Sequence, residues 1–448
     1  MKIKLSVNIK LTMDLLEIQD QLCQLELLED NQTLDFIDKH YNQHLSNFDI
    51  SNKYLVKNSA MYLGKMLYER ISSGKTLKHL SMENCMLNEE NLTQICKWLF
   101  KLKNPLGLKT LNLGNNKLII NEPISLLIKK LLDKVGRKKS VSVAFQGNAF
   151  SNSKCLQTIL TSKACFTELN LYDCCVEGSC LVVLAEVIAE NKYILKLDLS
   201  YNPKAFLDCE EVANFSISIG LNQHIQKLNL EGNYSLSNRP VLINFLSGLQ
   251  TNKNLQKLNL ASIELGDKGL SLLTKLLLEK LMLFSLDLQN NGITDKGFLI
   301  LLKNLPLGLS ELNVSYNLLQ KNESLKALGQ KLTKERTLRV LKISSAFEIS
   351  CIQETAVSAL CKGLRENFSL TDFICESTKI GDEPDLFCKA IGEAIASRRL
   401  SLTYKISAVN CFDSTATSMG SHSTFNLKRP SKSFKFNSLE LPEPWTPR

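Results

Sequence analysis

The sequence predicts an α/β solenoid, a horseshoe-like array with short parallel strands on its concave face and helices on its convex face. Three observations support this prediction. A leucine pattern recurs along most of the 448 residues, each copy alternates apolar and polar residues as a half-buried strand does, and a stretch with helical spacing of apolar residues follows the strand. Because repeat proteins grow in one dimension, chain length alone does not indicate several domains.

The repeated unit is LxxLxLxxN/C, and eleven copies occur. Successive copies start 26 to 32 residues apart, a spacing that is typical of leucine-rich repeats. One of the best matches is Leu108-Lys-Thr-Leu111-Asn-Leu113-Gly-Asn-Asn116. The copies begin at Leu77, Leu108, Ser140, Phe166, Ile194, Ile225, Leu255, Leu283, Leu309, Leu338 and Leu370.

The ninth position of the unit predicts a polar column inside the array. Eight of the eleven residues there are Asn or Cys. An Asn side chain carries a donor and an acceptor, so stacked copies can satisfy backbone groups that the turns leave buried. We expect the column to weaken at the apolar exceptions, Ile263 and Ala346. In chain order the residues are Cys85, Asn116, Asn148, Cys174, Asn202, Asn233, Ile263, Asn291, Asn317, Ala346 and Thr378.

A turn and an amphipathic helical stretch follow each strand, most clearly at Gly178 to Glu190, Gly269 to Lys280 and Leu386 to Ser397. Strands pack about 4.8 Å apart, whereas a helix with its side chains occupies about 10 Å. An array of both must therefore bend, and the strands must line its concave side.

Three helix entries carry a more specific signal: Leu265-Gly-Asp267-Lys-Gly269, Ile293-Thr-Asp295-Lys-Gly297 and Ile380-Gly-Asp382-Glu383. They resemble the helix entry of the ribonuclease-inhibitor-like leucine-rich repeats, a subfamily that includes repeat domains of NOD-like receptors and Ran GTPase-activating proteins. The resemblance covers about residues 77–400. It implies an α/β horseshoe, free reduced thiols and a protein ligand.

The two ends of the chain lack the repeat. Residues 1–76 show helical patterning and predict an N-terminal cap, which would cover the apolar flank of the first repeat. Residues 77–406 form the predicted repeat domain. Residues 407–448 are rich in Ser, Thr, Pro and Asn without periodicity, and we expect them to be a disordered tail. The tail is either an export signal or an unselected end.

Composition favours a protein of a reducing compartment. Fourteen cysteines are scattered singly rather than in the dense framework of a small secreted domain. The N-terminus has polar residues throughout, so no signal peptide is expected. A run of about 18 apolar residues, which a membrane span needs, is also missing from the sequence. The prediction is a cytoplasmic protein, or one delivered into a host cytosol without a classical signal peptide.

Catalytic, cofactor and metal signatures are weak. The sequence contains no GxSxG, P-loop, GxGxxG or HExxH motif, so we predict a protein that is not an enzyme and has no cofactor or small-molecule substrate. His40 and His44 could share a helix face, but Tyr41 stands where a zincin needs Glu. The cysteine cluster Cys165, Cys174, Cys175 and Cys180 matches no zinc spacing. Metal binding is therefore not expected.

Two further functions remain open. Lys129, Lys130, Lys134 and the run Arg137-Lys138-Lys139 form a basic stretch over 129–139 that could contact nucleic acid or an acidic surface. No aromatic residues interleave, so a solvated convex face is favoured. A Ran-type GTPase-activating protein would supply an Arg from a loop. Arg137 and Arg239 are candidates for it by location alone.

The concave strand positions are the predicted partner-binding site. Strand alternation directs the third, fifth and seventh residues of each unit away from the core. The third position carries a row of lysines in consecutive repeats, and the fifth is usually Asn or Asp, residue types that the strand geometry alone can also favour. The candidate residues are Glu168, Tyr172, Lys196, Asp198, Lys227, Asn229, Glu231, Lys257, Asn259, Asp287 and Gln289.

A polar strip with mixed charge suits a protein partner better than a small ligand. The sequence thus predicts a protein–protein interaction scaffold. Its lone repeat array and loose C-terminal tail also resemble leucine-rich-repeat effectors that intracellular bacteria deliver into host cells, which is a further hypothesis.

Overall fold

The computed structural model describes residues 28–40, 46–136, 139–278, 282–381, 384–397 and 402–410. Over these residues, strand, turn and helix alternate along the chain, and the strands form one long parallel sheet. The predicted α/β solenoid is therefore confirmed. Because helices are wider than the spacing between strands, the sheet lines the inner, concave side of the array.

The main sheet follows the order of the chain up to Val340–Lys342, after which Asp372–Ile380 pairs with that strand, with Glu348–Ile349 and with Thr403–Asn410. Fourteen strands of the described residues belong to it, and a separate two-stranded sheet pairs β4 (Ile119–Ile120) with β6 (Ala149–Phe150). The strands of the main sheet are β1 (Asn47–Asp49), β2 (His79–Ser81), β3 (Thr110–Asn112), β5 (Ser140–Ala144), β7 (Cys165–Asn170), β8 (Lys196–Asp198), β9 (Lys227–Asn229), β10 (Lys257–Asn259), β11 (Ser285–Asp287), β12 (Glu311–Asn313), β13 (Val340–Lys342), β14 (Glu348–Ile349), β15 (Asp372–Ile380) and β16 (Thr403–Asn410).

Helices connect the strands and pack beside one another on the outer layer. Residues 28–40 are helical and are called α1. The others are α2 (Lys57–Ser72), α3 (Glu89–Leu99), α4 (Glu122–Asp133), α5 (Ser153–Leu160), α6 (Gly178–Glu190), α7 (Cys209–Leu221), α8 (Arg239–Leu249), α9 (Gly266–Leu273), α10 (Asp295–Lys303), α11 (Asn322–Lys334), α12 (Glu354–Glu366) and α13 (Pro384–Ala396).

The core lies between the sheet and the helices. The fourth and sixth residues of all eleven repeats are buried, as in Leu197 and Leu199, which confirms the inward face of each strand. The third repeat is offset by one residue from the sequence pattern. Val141, not Ser140, is buried and pairs with Phe166, and the register shifts between Val141 and Ser142. The apolar residue occupies the core, and the strand absorbs the one-residue difference as an irregularity.

The eighth residue of every repeat adopts left-handed backbone geometry. Its φ lies between 48° and 73° in all eleven copies, so the chain turns sharply after each strand. Most of these residues are Gly, Asn, Asp or Ser, but Tyr201 and Tyr316 also have a φ of 57°. A bulky residue there costs conformational energy, which the turns on either side must offset.

The ninth residues form the predicted column. The Asn202 carboxamide oxygen accepts hydrogen bonds from the backbone N–H groups of Cys174 and Val176, at 3.0 and 2.9 Å. Its nitrogen donates to the carbonyls of Leu171, Leu199 and Ser200. Each Asn thus joins two successive turns. We call Asn116, Asn148, Asn202, Asn233, Asn291 and Asn317 the asparagine column.

Sheet strands also occur outside residues 77–406. Inside the segment assigned to the cap, Asn47–Asp49 pairs in parallel with His79–Ser81, and the Asn52 N–H donates to the Glu83 carbonyl as in later repeats. At the other end β16 runs from Thr403 to Asn410. The limits 1–76, 77–406 and 407–448 stay predictions. The structure adds one strand–helix unit before Leu77 to the eleven that the sequence pattern identified. Most of the tail lies outside the described residues.

The helix-entry aspartates bond to the next repeat. Asp267 accepts from the backbone N–H and hydroxyl of Thr294, at 2.9 and 2.6 Å. Asp295 is buried and accepts from the N–H groups of Gln320 and Lys321 and from the Ser324 hydroxyl. The Asp of these motifs therefore fixes the spacing between neighbouring helices. Asp382 lies outside the described residues.

Candidate functional site

A row of three lysines crosses the middle of the concave face. Lys196, Lys227 and Lys257 lie directly opposite one another on the adjacent strands β8, β9 and β10. Neighbouring strands of a sheet are about 4.8 Å apart, so three ammonium-bearing chains stand side by side. We call these three residues the lysine row.

Glutamates neutralise both ends of the lysine row. Lys196 forms an ion pair with Glu168 on β7. Lys257 reaches across β11, where its register neighbour is the short Ser285, and pairs with Glu311 on β12 at 3.1 Å. The same ammonium lies 5.5 Å from the ring centre of Phe284. These contacts hold the outer lysines in place.

The central lysine has no such partner. Lys227 makes no hydrogen bond or ion pair with any described residue, although it is only half exposed. Burial, followed by repulsion from Lys196 and Lys257, holds the pKa of its ammonium group below the usual lysine value. Three lysines and two glutamates leave one positive charge on this row, and that charge is located at Lys227.

The fifth-position residues have a structural role that the sequence only suggested. Each of Asp198, Asn229, Asn259 and Asp287 accepts a hydrogen bond from the backbone N–H two residues later. This bond closes the turn at the end of the strand. Their residue type thus follows in part from the repeat itself, independently of any ligand.

The amides at these positions also donate hydrogen bonds to acids of the preceding repeat. Asn229 donates to Asp198 at 2.9 Å, and Asn259 donates to Glu231 at 3.1 Å. Asn313, which was not among the predicted site residues, donates to Asp287 and to the side-chain oxygen of Gln289. The carboxylates of Asp198, Glu231 and Asp287, here called the strand-end acids, are therefore satisfied within the protein.

Burial dominates the chemistry of the strand-end acids. It raises the carboxyl pKa of Asp198, Glu231 and Asp287 above the ordinary values, and hydrogen bonds to the ionised forms oppose that change. The side chains lie on the concave side beyond the lysine row, two residues further along the chain for Asp198 and Asp287 and four for Glu231. The face is consequently basic at the start of the strands and acidic at their ends.

Two tyrosines border the acidic side. The rings of Tyr172 and Tyr201 meet edge to face with centroids 5.2 Å apart, and the Tyr201 hydroxyl donates to Glu231 at 3.2 Å. Burial and the nearby Glu231 raise the pKa of Tyr201 to about 12. Sequence reasoning missed Tyr201 because it considered only the third, fifth and seventh positions. The signal that could have identified it is an aromatic residue at the eighth position, where most repeats have a turn-forming residue.

The face formed by β1 to β5 is different. It carries short side chains such as Ser81, Thr110, Ser142 and Ala144, which line a shallow depression. His79 hydrogen-bonds there to the Thr110 hydroxyl at 2.8 Å. The long charged side chains of the predicted site are brought together on β7 to β12.

The basic stretch 129–139 is partly engaged within the protein. Lys129 donates to the carbonyl and hydroxyl of Thr161 at 2.9 and 2.8 Å, and Lys134 donates to the Leu102 carbonyl at 2.6 Å. Arg137 and Lys138 lie outside the described residues. Arg239, the other arginine considered for GTPase activation, is the first residue of α8.

Most of the described cysteines are small buried groups, whereas Cys175 and Cys351 are exposed. The thiols of Cys85 and Cys174 occupy the ninth position and donate to the carbonyls of Ile50 and Phe145. Burial raises the pKa of Cys85 to about 11. Within the described ranges, no three His, Cys, Asp or Glu side chains gather as a metal site requires. His40 stacks on Phe36, and His44 lies outside those ranges.

The described helices include none that is both long and apolar enough to cross a bilayer.

Comparison with known proteins identifies solved structures alone. The chain matches no protein-family model and no curated protein. It is similar to the leucine-rich repeat-containing protein LegL7 from Legionella pneumophila, with 13% identity over 67% of this chain and 91% of that one and a TM-score of 0.37. It is also similar to TLR13 in its complex with ssRNA13, with 19% identity over 74% and 35% and a TM-score of 0.29. The assignment of the fold rests on the chain's own geometry.

Proposed function

We propose that this protein is a non-enzymatic interaction scaffold that binds a protein ligand on its concave face between β7 and β12. The observation that carries the proposal is the lysine row, in which Lys227 is held between two like charges without an acceptor from the described residues. A carboxylate from a partner would relieve this repulsion. Such complementarity orients a partner and gives specificity.

The charged groups of the strip support binding rather than catalysis. Their altered pKa values follow from burial and from hydrogen bonds that the repeat itself makes. Asp198, Glu231 and Asp287 are each held by an amide of the next strand. A general acid or base would need to remain free to contact a reacting group.

A reducing compartment suits the buried thiols. Cys85 and Cys174 donate Sγ–H hydrogen bonds where other repeats use an Asn amide. Oxidation would remove these donors from a buried column, and the carbonyls they satisfy would lose a partner. A cytoplasmic location, in the cell of origin or in a host, is part of the proposal.

Affinity capture tests the proposed face. The triple variant Lys196→Glu, Lys227→Glu, Lys257→Glu should lose the ligand that wild type retains from a host or parent-cell extract, because the basic row becomes acidic. Lys268, Lys326 and Lys362 are exposed and make no hydrogen bond or ion pair with described residues, so their Glu triple variant supplies the same change of charge elsewhere. Equal retention by both triple variants would exclude this strip as the binding surface.

Delivery into a host cell is the finer part of the proposal. The tail composition supports it, since the last 40 residues are rich in Ser, Thr and Pro. Deleting residues 409–448 should abolish transfer in a translocation assay if they carry an export signal. The fold of the remaining chain should be checked by circular dichroism, and unchanged delivery would exclude the signal.

A further inference from the structure

We propose that the element of the partner that docks on this strip is an α-helix lying across β8, β9 and β10, with carboxylates along the edge that covers the lysine row. This inference depends on the proposed function, since it names the chemistry and shape of the ligand at the same face. Spacing, width and charge lead to it independently.

Spacing along the sheet matches a helix. The three lysines of the row are in register on successive strands, so their Cα atoms follow one another at about 4.8 Å and span about 10 Å. Helical residues i, i+4 and i+7 lie on one face at intervals of about 6 and 4.5 Å, a span of about 10.5 Å. In an extended peptide three side chains on one face span about 13 Å, which exceeds the row.

Width between the two charged borders also matches. Lys227 occupies the third position of its repeat and Glu231 the seventh, four residues further along and in the turn after β9, so at most about 13 Å separates their Cα atoms. A helix with its side chains is about 10–12 Å across. It can therefore lie between the lysine row on one side and Glu231 with Tyr201 on the other.

The two borders differ in the charge they accept. Lys227 needs an acceptor, whereas Glu231 and the exposed Asp173 present carboxylates beside Tyr172 and Tyr201. The helix is therefore acidic on the edge over the lysines and neutral or basic on the opposite edge. A polyanion such as a single-stranded nucleic acid, negative on all sides, would meet the strand-end acids as well as the lysines.

Exposed apolar groups adjoin the basic border. Phe284 is 42% exposed and lies beside Lys257, and Met282 and Leu307 just before β11 and β12 are 72% and 88% exposed. Charged contacts at the rim orient a partner, but apolar anchors usually carry most of the affinity. The docked helix should therefore carry an apolar residue beyond its last carboxylate, at the point where it reaches β11.

A synthetic peptide supplies the test. The probe is a fluorescent 16-residue helical peptide with Glu at positions 4, 8 and 11, Lys on the opposite edge and Leu at position 15. Its anisotropy is measured with the full-length protein at low salt. We expect saturable binding that Lys227→Glu weakens about tenfold or more. Replacing the central Glu of the peptide with Lys should restore binding to Lys227→Glu, since each change reverses one side of the same pair.

The controls separate this inference from general charge attraction. Lys326→Glu makes the same change of charge on α11 and should leave the affinity unchanged. A peptide of the same composition with its Glu residues distributed around the helix should bind more weakly. Equal binding of both peptides, equal effects of the two variants, or stronger binding of an oligouridine would overturn the proposal that the ligand is an acidic helix. If affinity capture still depended on the lysine row in that case, the proposed scaffold function would stand and only the helical ligand would be excluded.

Discussion

The asparagine column and the lysine row are built in the same way and behave in opposite ways. Both place one residue type at the same position of several repeats. The lysines lie in register on adjacent strands, and the asparagines lie in the turns that follow the strands. The asparagines are buried and fully bonded, whereas the middle lysine has no acceptor among the described residues. An amide carries both a donor and an acceptor, so each copy satisfies backbone groups of its own turn and of the preceding turn. An ammonium group only donates, so copies repel.

This difference separates repeated features that stabilise the array from those that stay available to a ligand. A side chain that both donates and accepts bonds to the backbone of two adjacent turns, so its repetition strengthens the fold. A side chain that only donates, such as Lys227, has like charges on either side, and an acceptor for it would come from outside. Three substitutions test the comparison.

The largest effect is expected in the column. Asn202→Ala removes the acceptor of two buried N–H groups and the donor of three carbonyls. We expect a loss of about 3–4 kcal/mol in the free energy of unfolding, because buried backbone groups lose their partners. Urea denaturation measures it. Asn304→Ala, which removes an exposed amide bonded only to Ile300, is the matched control and should cost less than about 0.5 kcal/mol. A similar cost for both variants would contradict the role of the column.

Glu231 is an intermediate case, because it only accepts but is satisfied by Asn259 and Tyr201. Glu231→Gln can keep both contacts while removing a partly buried charge, because its oxygen can accept from Asn259 and its nitrogen can donate to the Tyr201 oxygen. Since the folded-state carboxyl pKa is raised, ionisation destabilises the fold as the pH rises through that pKa. We expect the Gln variant to be more stable at pH 7 by about 0.5 kcal/mol, given solvent screening.

The sign of this effect depends on pH. Below the unfolded-state pKa of about 4.3 the wild-type carboxyl is protonated in both states, so the advantage of Gln should disappear. Thermal unfolding between pH 3.5 and 7 measures the difference. An advantage that persists unchanged at pH 3.5 would show that charge burial is not its cause.

The smallest effect is expected at Lys227. Lys227→Met should leave stability nearly unchanged, or raise it by about 0.3 kcal/mol, because it removes repulsion with two lysines and breaks no bond. Its folded-state pKa is lowered, so wild-type stability should rise with pH as the ammonium group loses its proton in the folded state first. The difference in unfolding free energy between the Met variant and wild type should therefore shrink toward pH 10. A loss above about 1 kcal/mol would mean that Lys227 is structural.

Local pattern made much of this architecture predictable. The buried fourth and sixth residues, the turn after each strand and the ninth-position column all recur within one unit of the sequence, so each could be read from it. The exceptions were local irregularities. Val141 replaces Ser140 in the core, and the strand Asn47–Asp49 contains Phe48 rather than a leucine, so the pattern did not include it.

Which residues face the concave side follows from the amino-acid order, because strand alternation and repeat register depend on neighbours within about 30 residues. Which of those residues already have hydrogen-bond or ion-pair partners is set by the folded chain. Lys257 is 54 residues from the glutamate that it reaches across β11, and Tyr201 contacts Glu231 from the next repeat. Charge balance on the face depends on side-chain reach between strands, which the order of residues along one strand does not specify.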